Sequence, residues 1–178
     1  MAGHNKWTQI KRQKAVVDAK KSKLFSVLVK QIQLEARKAN GDENASGLKT
    51  AIERARTSNM PSENIDRAIK SAVGAEAKGL ETIFYEAYGP GGVAMIIEAI
   101  TNSRNRTTQE VKHLLSEHGG SLALAGTATW AFEKSATGWQ AKTLVPPPTG
   151  EAENQLTNLL AELNQHDDVE RVSVNTTL

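Results

Sequence analysis

The first 38 residues of this chain hold ten Lys or Arg and two acids, Asp18 and Glu35. The segment carries a local charge of +8 in a protein whose formal charge is +2, so the remaining residues sum to −6. A basic arm on a near-neutral body attracts a polyanion, and nucleic acid is the common one. The charges are also ordered. Lys23, Lys30 and Arg37 are seven residues apart, and Lys20 sits one turn before Lys23, so on a helix they form one drifting stripe. Lys6, Lys11, Arg12, Lys14 and Lys21 add to the arm and are candidate phosphate contacts. A solvated helix face is the other meaning of such a stripe. The scarcity of acids speaks against it, because a merely soluble helix usually mixes signs.

Three further groups could touch a ligand. His4, Lys6 and Trp7 open the chain. Trp7 either stacks on a base, with neighbouring cations on phosphates, or folds back as a cap over the helices. Asn102, Arg104, Asn105 and Arg106 lie between a predicted strand and a helix start. There Arg104 and Arg106 either hold a phosphate or base edge, or tie one loop to another. Gly89-Pro90-Gly91-Gly92 reads as a hairpin turn that needs positive φ. It lacks the Lys-Ser/Thr pair of a phosphate-binding loop.

Enzymatic constellations are not assembled by this sequence. There is no cysteine, so thiolate metal sites, disulfides and cysteine nucleophiles are excluded. The histidines are His4, His113, His118 and His166, and the five-residue step from His113 to His118 suits no shared metal on a helix. The expectation is a non-enzyme without metal, cofactor or small-molecule substrate. The acids near the C-terminus, Glu151, Glu153, Glu162, Asp167, Asp168 and Glu170, read as a solvated surface.

These side chains need elements to hold them. Lys11 to Ala39 contains neither Gly nor Pro and predicts a helix, with Leu24, Leu28, Ile32 and Ala36 as its apolar stripe and Asn40-Gly41-Asp42 as its stop. Leu48, Ala51, Ile52 and Ala55 predict a second helix. Ile65, Ala68, Ile69, Ala72 and Val73 predict a third, with Pro61 at its start and Gly74 at its end. Gly74 to Leu80 has linker composition. Beyond it, Thr82–Tyr88 and Val93–Ile100 predict a hairpin. Thr107-Thr108-Gln109-Glu110 reads as a capping box ahead of Val111, Leu114 and Leu115. Thr127–Glu133 predicts a strand with Ala128, Trp130 and Phe132 on one face, and Ala141–Val145 a weaker one. Glu151–Gln165 predicts a helix, and Val172 and Val174 a closing strand. The expected class is α+β. A three-helix-type bundle over residues 1–75, basic and suited to nucleic acid, precedes an antiparallel, ferredoxin-like α+β layer over residues 80–178 with helices on one face.

No apolar run is long enough to span a bilayer, and no apolar segment follows Met1–Trp7, so a cytoplasmic protein without membrane contact is expected.

Three blocks resemble the YebC/PmpR family. Ala2-Gly3-His4-Asn5-Lys6-Trp7 is similar to its AGHSKW opening, with Asn5 where Ser is usual. Asn59-Met60-Pro61 through Arg67-Ala68-Ile69 is similar to its NMPxxNIxRAI segment. Tyr85–Gly92 and Asn102–Thr107 are similar to its YEGYGPGG and NRNRT block. The blocks occur in family order and spacing, covering residues 1 to about 134, with a looser likeness from Leu144 onward. The family's typical member is longer, with a further α/β domain inserted where this chain has only Ser135–Lys142. The resemblance implies regulation of gene expression, either by DNA-binding transcriptional control or by action on ribosomes stalled at proline runs. The sequence shows no helix-turn-helix signature and no dimer seam for a palindromic operator, which favours a monomeric, ribosome- or rRNA-associated translation factor over a DNA-binding regulator. A protein-interaction adaptor using the C-terminal module is the third possibility.

Overall fold

The structure is a computed structural model that describes residues 3–74, 79–135 and 138–177, with the backbone alone described for residues 3–13 and 16. The chain divides into two compact units, residues 1–78 and 79–178, and each builds its own core.

The first unit consists of α1 (Gly3–Lys38), α2 (Ser46–Thr57) and α3 (Ser62–Val73). Their apolar stripes meet in one cluster made by Leu28, Ile32, Ala36, Leu48, Ile52, Ala55, Ile65, Ala68 and Ile69 with their neighbours. Helix α1 ends where the sequence requires it. Asn40 and Gly41 take positive φ, 48° and 81°, and the Gly41 N–H donates to the Ala36 carbonyl at 2.8 Å. That wraps the freed carbonyls of the last turn. Pro61 and Gly74 flank α3 as expected. Two residues depart from the expected stripes: Leu24 and Val73 are each 45% exposed. Period-four spacing overshoots the 3.6-residue turn, so Leu24 drifts off the face on which Leu28 and Ile32 are buried. Helix α1 also starts eight residues before the expected Lys11, since nothing in His4–Ile10 breaks a helix.

The second unit is an antiparallel sheet covered by two helices on one face. Its strands are β1 (Glu81–Tyr88), β2 (Ala94–Thr101), β3 (Ser121–Leu122) and β6 (Val169–Val174), in the order β3-β1-β2-β6. Helices α4 (Arg104–Glu117) and α5 (Glu151–Gln165) pack through Val111, Leu115, Leu156, Leu159 and Leu163 on Ile83, Tyr85, Ala87, Met95, Ile97 and Ala99. The β1–β2 turn holds Gly91 and Gly92 at φ 73° and 74°, the positive φ read from the sequence. Gly89 has a different role: a Cβ there would lie 2.9 Å from the Met95 sulfur and 3.3 Å from Leu156, so its small size admits the core.

On the other sheet face, Ala94 and Ile96 pack against Ala128, Ala131 and Phe132. A hairpin of β4 (Phe132–Ser135) and β5 (Gly138–Ala141) follows. Thus the short Ser135–Lys142 segment supplies the strand Gly138–Ala141, which pairs antiparallel with Phe132–Ser135. The expected strand over Thr127–Glu133 is interrupted by a 3-10 turn at Thr129–Ala131, which leaves Trp130 51% exposed while Ala128 and Phe132 are buried. The cause is Glu86. Its carboxylate accepts N–H groups of Gly126, Ala128 and Thr129 at 2.6, 2.7 and 2.9 Å, gathering the backbone around one point instead of along a neighbouring strand.

Candidate nucleic-acid interface

Helix α1 is 36 residues and roughly 54 Å long. Among the described side chains, its buried face begins near Phe25 and Leu28. Every described side chain from Lys14 to Ser22 is exposed, including Val17 at 62%. The described stretch Lys14–Ser22 is therefore not covered by α2 and α3.

The predicted cations occupy this helix as follows. Lys14, Lys20, Lys21 and Arg37 are exposed, and Lys23 and Lys30 are partly buried. At roughly 100° per residue, Lys23, Lys30 and Arg37 lie on the side of α1 away from Ile32. Stripe and core thus share one helix without competing for a face. The Lys21 ammonium also stands 5.4 Å from the centre of the Phe25 ring. Arg37 and Lys38 sit in the last turn, where a cation meets the negative end of the helix dipole. His4, Lys6, Trp7, Lys11 and Arg12 fall within the α1 backbone, and their side chains lie outside the described residues.

Helix α3 carries no comparable excess. Its exposed side chains include Glu63 and Asp66 as well as Arg67 and Lys70, and acids facing outward would repel a phosphate row.

Arg104 and Arg106 open helix α4, and each holds a carboxylate. Arg104 binds Glu81 at 2.7 and 3.4 Å. This hydrogen bond holds the Glu81 carboxyl below its ordinary range and raises Arg104. Arg106 donates to Asp168 at 2.6 Å and lies 3.7 Å from Glu110. Both arginines remain at least half exposed, at 60% and 50%. Asn102 and Asn105 are exposed beside them.

Two sequence readings are corrected here. Thr107 does not cap α4. The helix begins at Arg104, and the buried Thr107 hydroxyl instead bonds Asp168 at 2.6 Å and Thr101 at 2.9 Å. Asp168 is not on the solvated acidic surface but only 5% exposed. Its burial is sustained because Arg106 and Thr107 both donate to it, as a buried carboxylate requires. Sequence spacing gave no sign of this, since Asp168 is 62 positions from Arg106.

The same junction includes His166. Its Nδ1 accepts the Asp168 backbone N–H at 3.1 Å, so in the neutral ring Nε2 carries the proton and donates to Glu110 at 3.0 Å. Ligand atoms of Glu110, His166 and Asp168 lie within 4.8 Å of one another. The set does not suit a cation: the Arg106 guanidinium already supplies the positive charge, and the His166 and Asp168 acceptor atoms are engaged. A hydrogen-bonded junction between α4 and the start of β6 fits the donor set better.

Glu86, the other carboxylate whose partners spacing did not reveal, has its pKa held down to about 2. Partial burial pushes it up, but hydrogen bonds from Gly126, the Thr129 side chain, and the Ala128 and Thr129 backbone outweigh that. Among the described residues no helix is long and apolar enough to cross a membrane.

The chain matches the family model for the TACO1/YebC protein N-terminal domain over residues 5–75, and that for the TACO1/YebC second and third domain over residues 80–137. A "Probable transcriptional regulatory protein" of Pseudothermotoga lettingae is 54% identical over 137 residues, covering 75% of this chain and 54% of that protein. A protein of the same name from Chloroherpeton thalassium is 46% identical over 169 residues, covering 94% of this chain and 65% of that one. The chain spans about half the length of several curated relatives it matches. Among solved structures, the conserved hypothetical protein Aq1575 of Aquifex aeolicus superposes with a TM-score of 0.82 at 29% identity, covering 90% of this chain and 92% of that one. Helical unit, sheet unit and sequence blocks agree, and the chain belongs to the TACO1/YebC family.

Proposed function

We propose that the chain is a non-enzymatic, nucleic-acid-binding regulator of gene expression, with helix α1 as its phosphate-contacting element. The observation that carries this is the exposed, cation-rich stretch of α1 beyond the bundle. Lysines held on a rigid helix at solvent release counterions when they meet phosphates, which gives affinity without sequence specificity. His4, Lys6, Trp7, Lys11, Arg12, Lys14, Lys20, Lys21, Lys23, Lys30 and Arg37 form the proposed contact set. Arg104 and Arg106 contribute less charge to it, because Glu81, Asp168 and Glu110 offset them. The protein acts in the cytoplasm, as a monomer, with neither cofactor nor small-molecule substrate.

Two modes use this surface. In the first, the chain is a ribosome- or rRNA-associated translation factor that relieves stalling at proline runs. In the second, it is a DNA-binding transcriptional regulator, and the names of its relatives favour this mode. Co-sedimentation of the full chain with ribosomal subunits, run beside gel-shift titration with DNA fragments, separates them. Retention on neither would leave a protein-interaction adaptor.

A further inference from the structure

We infer that the message encoding this chain is itself a target of the chain, so that the protein promotes its own translation. The inference rests on the first mode above, relief of ribosomes stalled at proline runs. Three of the five prolines in the sequence are consecutive, Pro146-Pro147-Pro148. They lie between Val145 and the start of α5 at Glu151.

The fold anchors both ends of this segment and leaves its middle at solvent. The Val145 N–H donates to the Asn175 carbonyl at 2.8 Å, and the Val145 carbonyl accepts the Thr176 hydroxyl at 3.1 Å. Pro148 is partly buried beside the β1–β2 turn, where a Cβ on Gly91 would lie 2.8 Å from the Pro148 Cβ. Pro146 and Pro147 are exposed. Each precedes a proline and is thereby held extended, a conformation open to most residues. Packing therefore explains Pro148 but does not call for a run of three.

The run has a chemical consequence during synthesis. When a residue is added, the incoming amine attacks the ester carbonyl of the peptidyl-tRNA. The amide forms, the ester bond to the tRNA breaks, and the proton of the amine ends on the tRNA hydroxyl. Proline attacks through a ring-bound secondary amine with φ fixed at about −65°. A proline already at the end of the growing chain holds the carbonyl in a stiff, extended segment. Two successive bonds here, 146–147 and 147–148, join proline to proline, so donor and acceptor are both rigid twice in a row. Ribosomes making this chain slow at these codons, and a factor that relieves such stalls speeds its own production. The result is positive feedback, in which yield rises with the amount of chain already present.

The test uses a reconstituted translation system to which no stall-relieving factor has been added. It is programmed with the wild-type message, a P147A message, which leaves no two of these prolines adjacent, and an unrelated reporter message containing three consecutive prolines. Toeprinting reads ribosome position and gel electrophoresis reads full-length yield, before and after addition of the purified full chain. The expected result is a toeprint at codons 146–148 on the wild-type message and none there on the P147A message. Adding the chain should remove the toeprint from the wild-type and reporter messages and raise the full-length yield of both. Relief on the reporter without a toeprint at codons 146–148, or with one there that the chain leaves in place, would overturn the self-targeting while the parent reading stands. A chain that relieves neither message would remove the parent reading as well.

Discussion

Arg106 at the start of α4 and Asp168 at the start of β6 are joined by a 2.6 Å ion pair whose carboxylate is buried and whose guanidinium is half in solvent. The asymmetry sets the outcome of substitution. Removing the arginine strands a buried carboxylate, whereas removing the carboxylate releases an arginine to water. Arg106→Gln should therefore lower the urea midpoint of the second unit more than Asp168→Ala does. The alanine variant should cost about 1–3 kcal/mol, the usual loss when buried hydrogen bonds are removed. An Arg106→Gln midpoint equal to that of the wild type would show that Thr107 alone suffices to hold the carboxylate.

The stripe on α1 makes its own prediction. Replacing Lys23, Lys30 and Arg37 together by Gln should lower the magnitude of the salt slope of RNA or DNA binding by roughly 2 to 2.7, at about 0.7–0.9 per phosphate contact. Replacing Arg104 and Arg106 should lower it less, since their partner carboxylates already offset their charge. An unchanged slope in the triple variant would place the binding face elsewhere.

Glu86 ties the 126–129 loop to β1, and its depressed acidity gives a pH signature. Its folded value, about 2, lies below the ordinary 4.5, so its stabilisation is complete above about pH 4.5 and is lost as pH falls towards 2. Glu86→Gln should lower stability at neutral pH by about 1–2 kcal/mol after allowance for solvent screening. It should also flatten the acid limb between about pH 5 and pH 2. Denaturation curves for both proteins across that window check the sign, and parallel acid limbs would contradict the assignment.

Trp7 separates base stacking from packing. If it stacks on a base, Trp7→Ala should cost about 1–3 kcal/mol of binding and leave folding stability nearly intact. If it caps the bundle, the same change should cost a few kcal/mol of stability, with affinity of the folded fraction unaltered. Thermal melting and an RNA titration on one sample decide between the two.

The two cores predict how proteolysis proceeds. A cut within Gly74–Leu80 should yield two folded pieces, because each unit buries its own cluster. A stable fragment from residue 136 onward should not appear. Ser173 on β6 donates to the Trp139 carbonyl at 2.9 Å, and Phe132 on β4 is packed under the sheet, so the hairpin and β6 belong to one unit. Mass spectrometry of a limited digest would reveal either pattern.

By itself the sequence determined what depends on local periodicity and composition. Helices α2, α3 and α5, the β1–β2 hairpin with its positive-φ glycines, the stop at Asn40-Gly41 and the basic arm all follow from residue spacing and backbone freedom within a few turns. Tertiary structure decided what depends on partners far along the chain. The Glu86 carboxylate reshaped the expected strand at 127–133, since three backbone N–H groups converge on it across some forty positions. Asp168 left the apparent acidic surface, because Arg106 and Thr107 make its burial tolerable. The exposure of Lys14 and Lys21 was also beyond spacing: their line round α1 is the buried line further along, and only the reach of α2 and α3 determines where that line meets water.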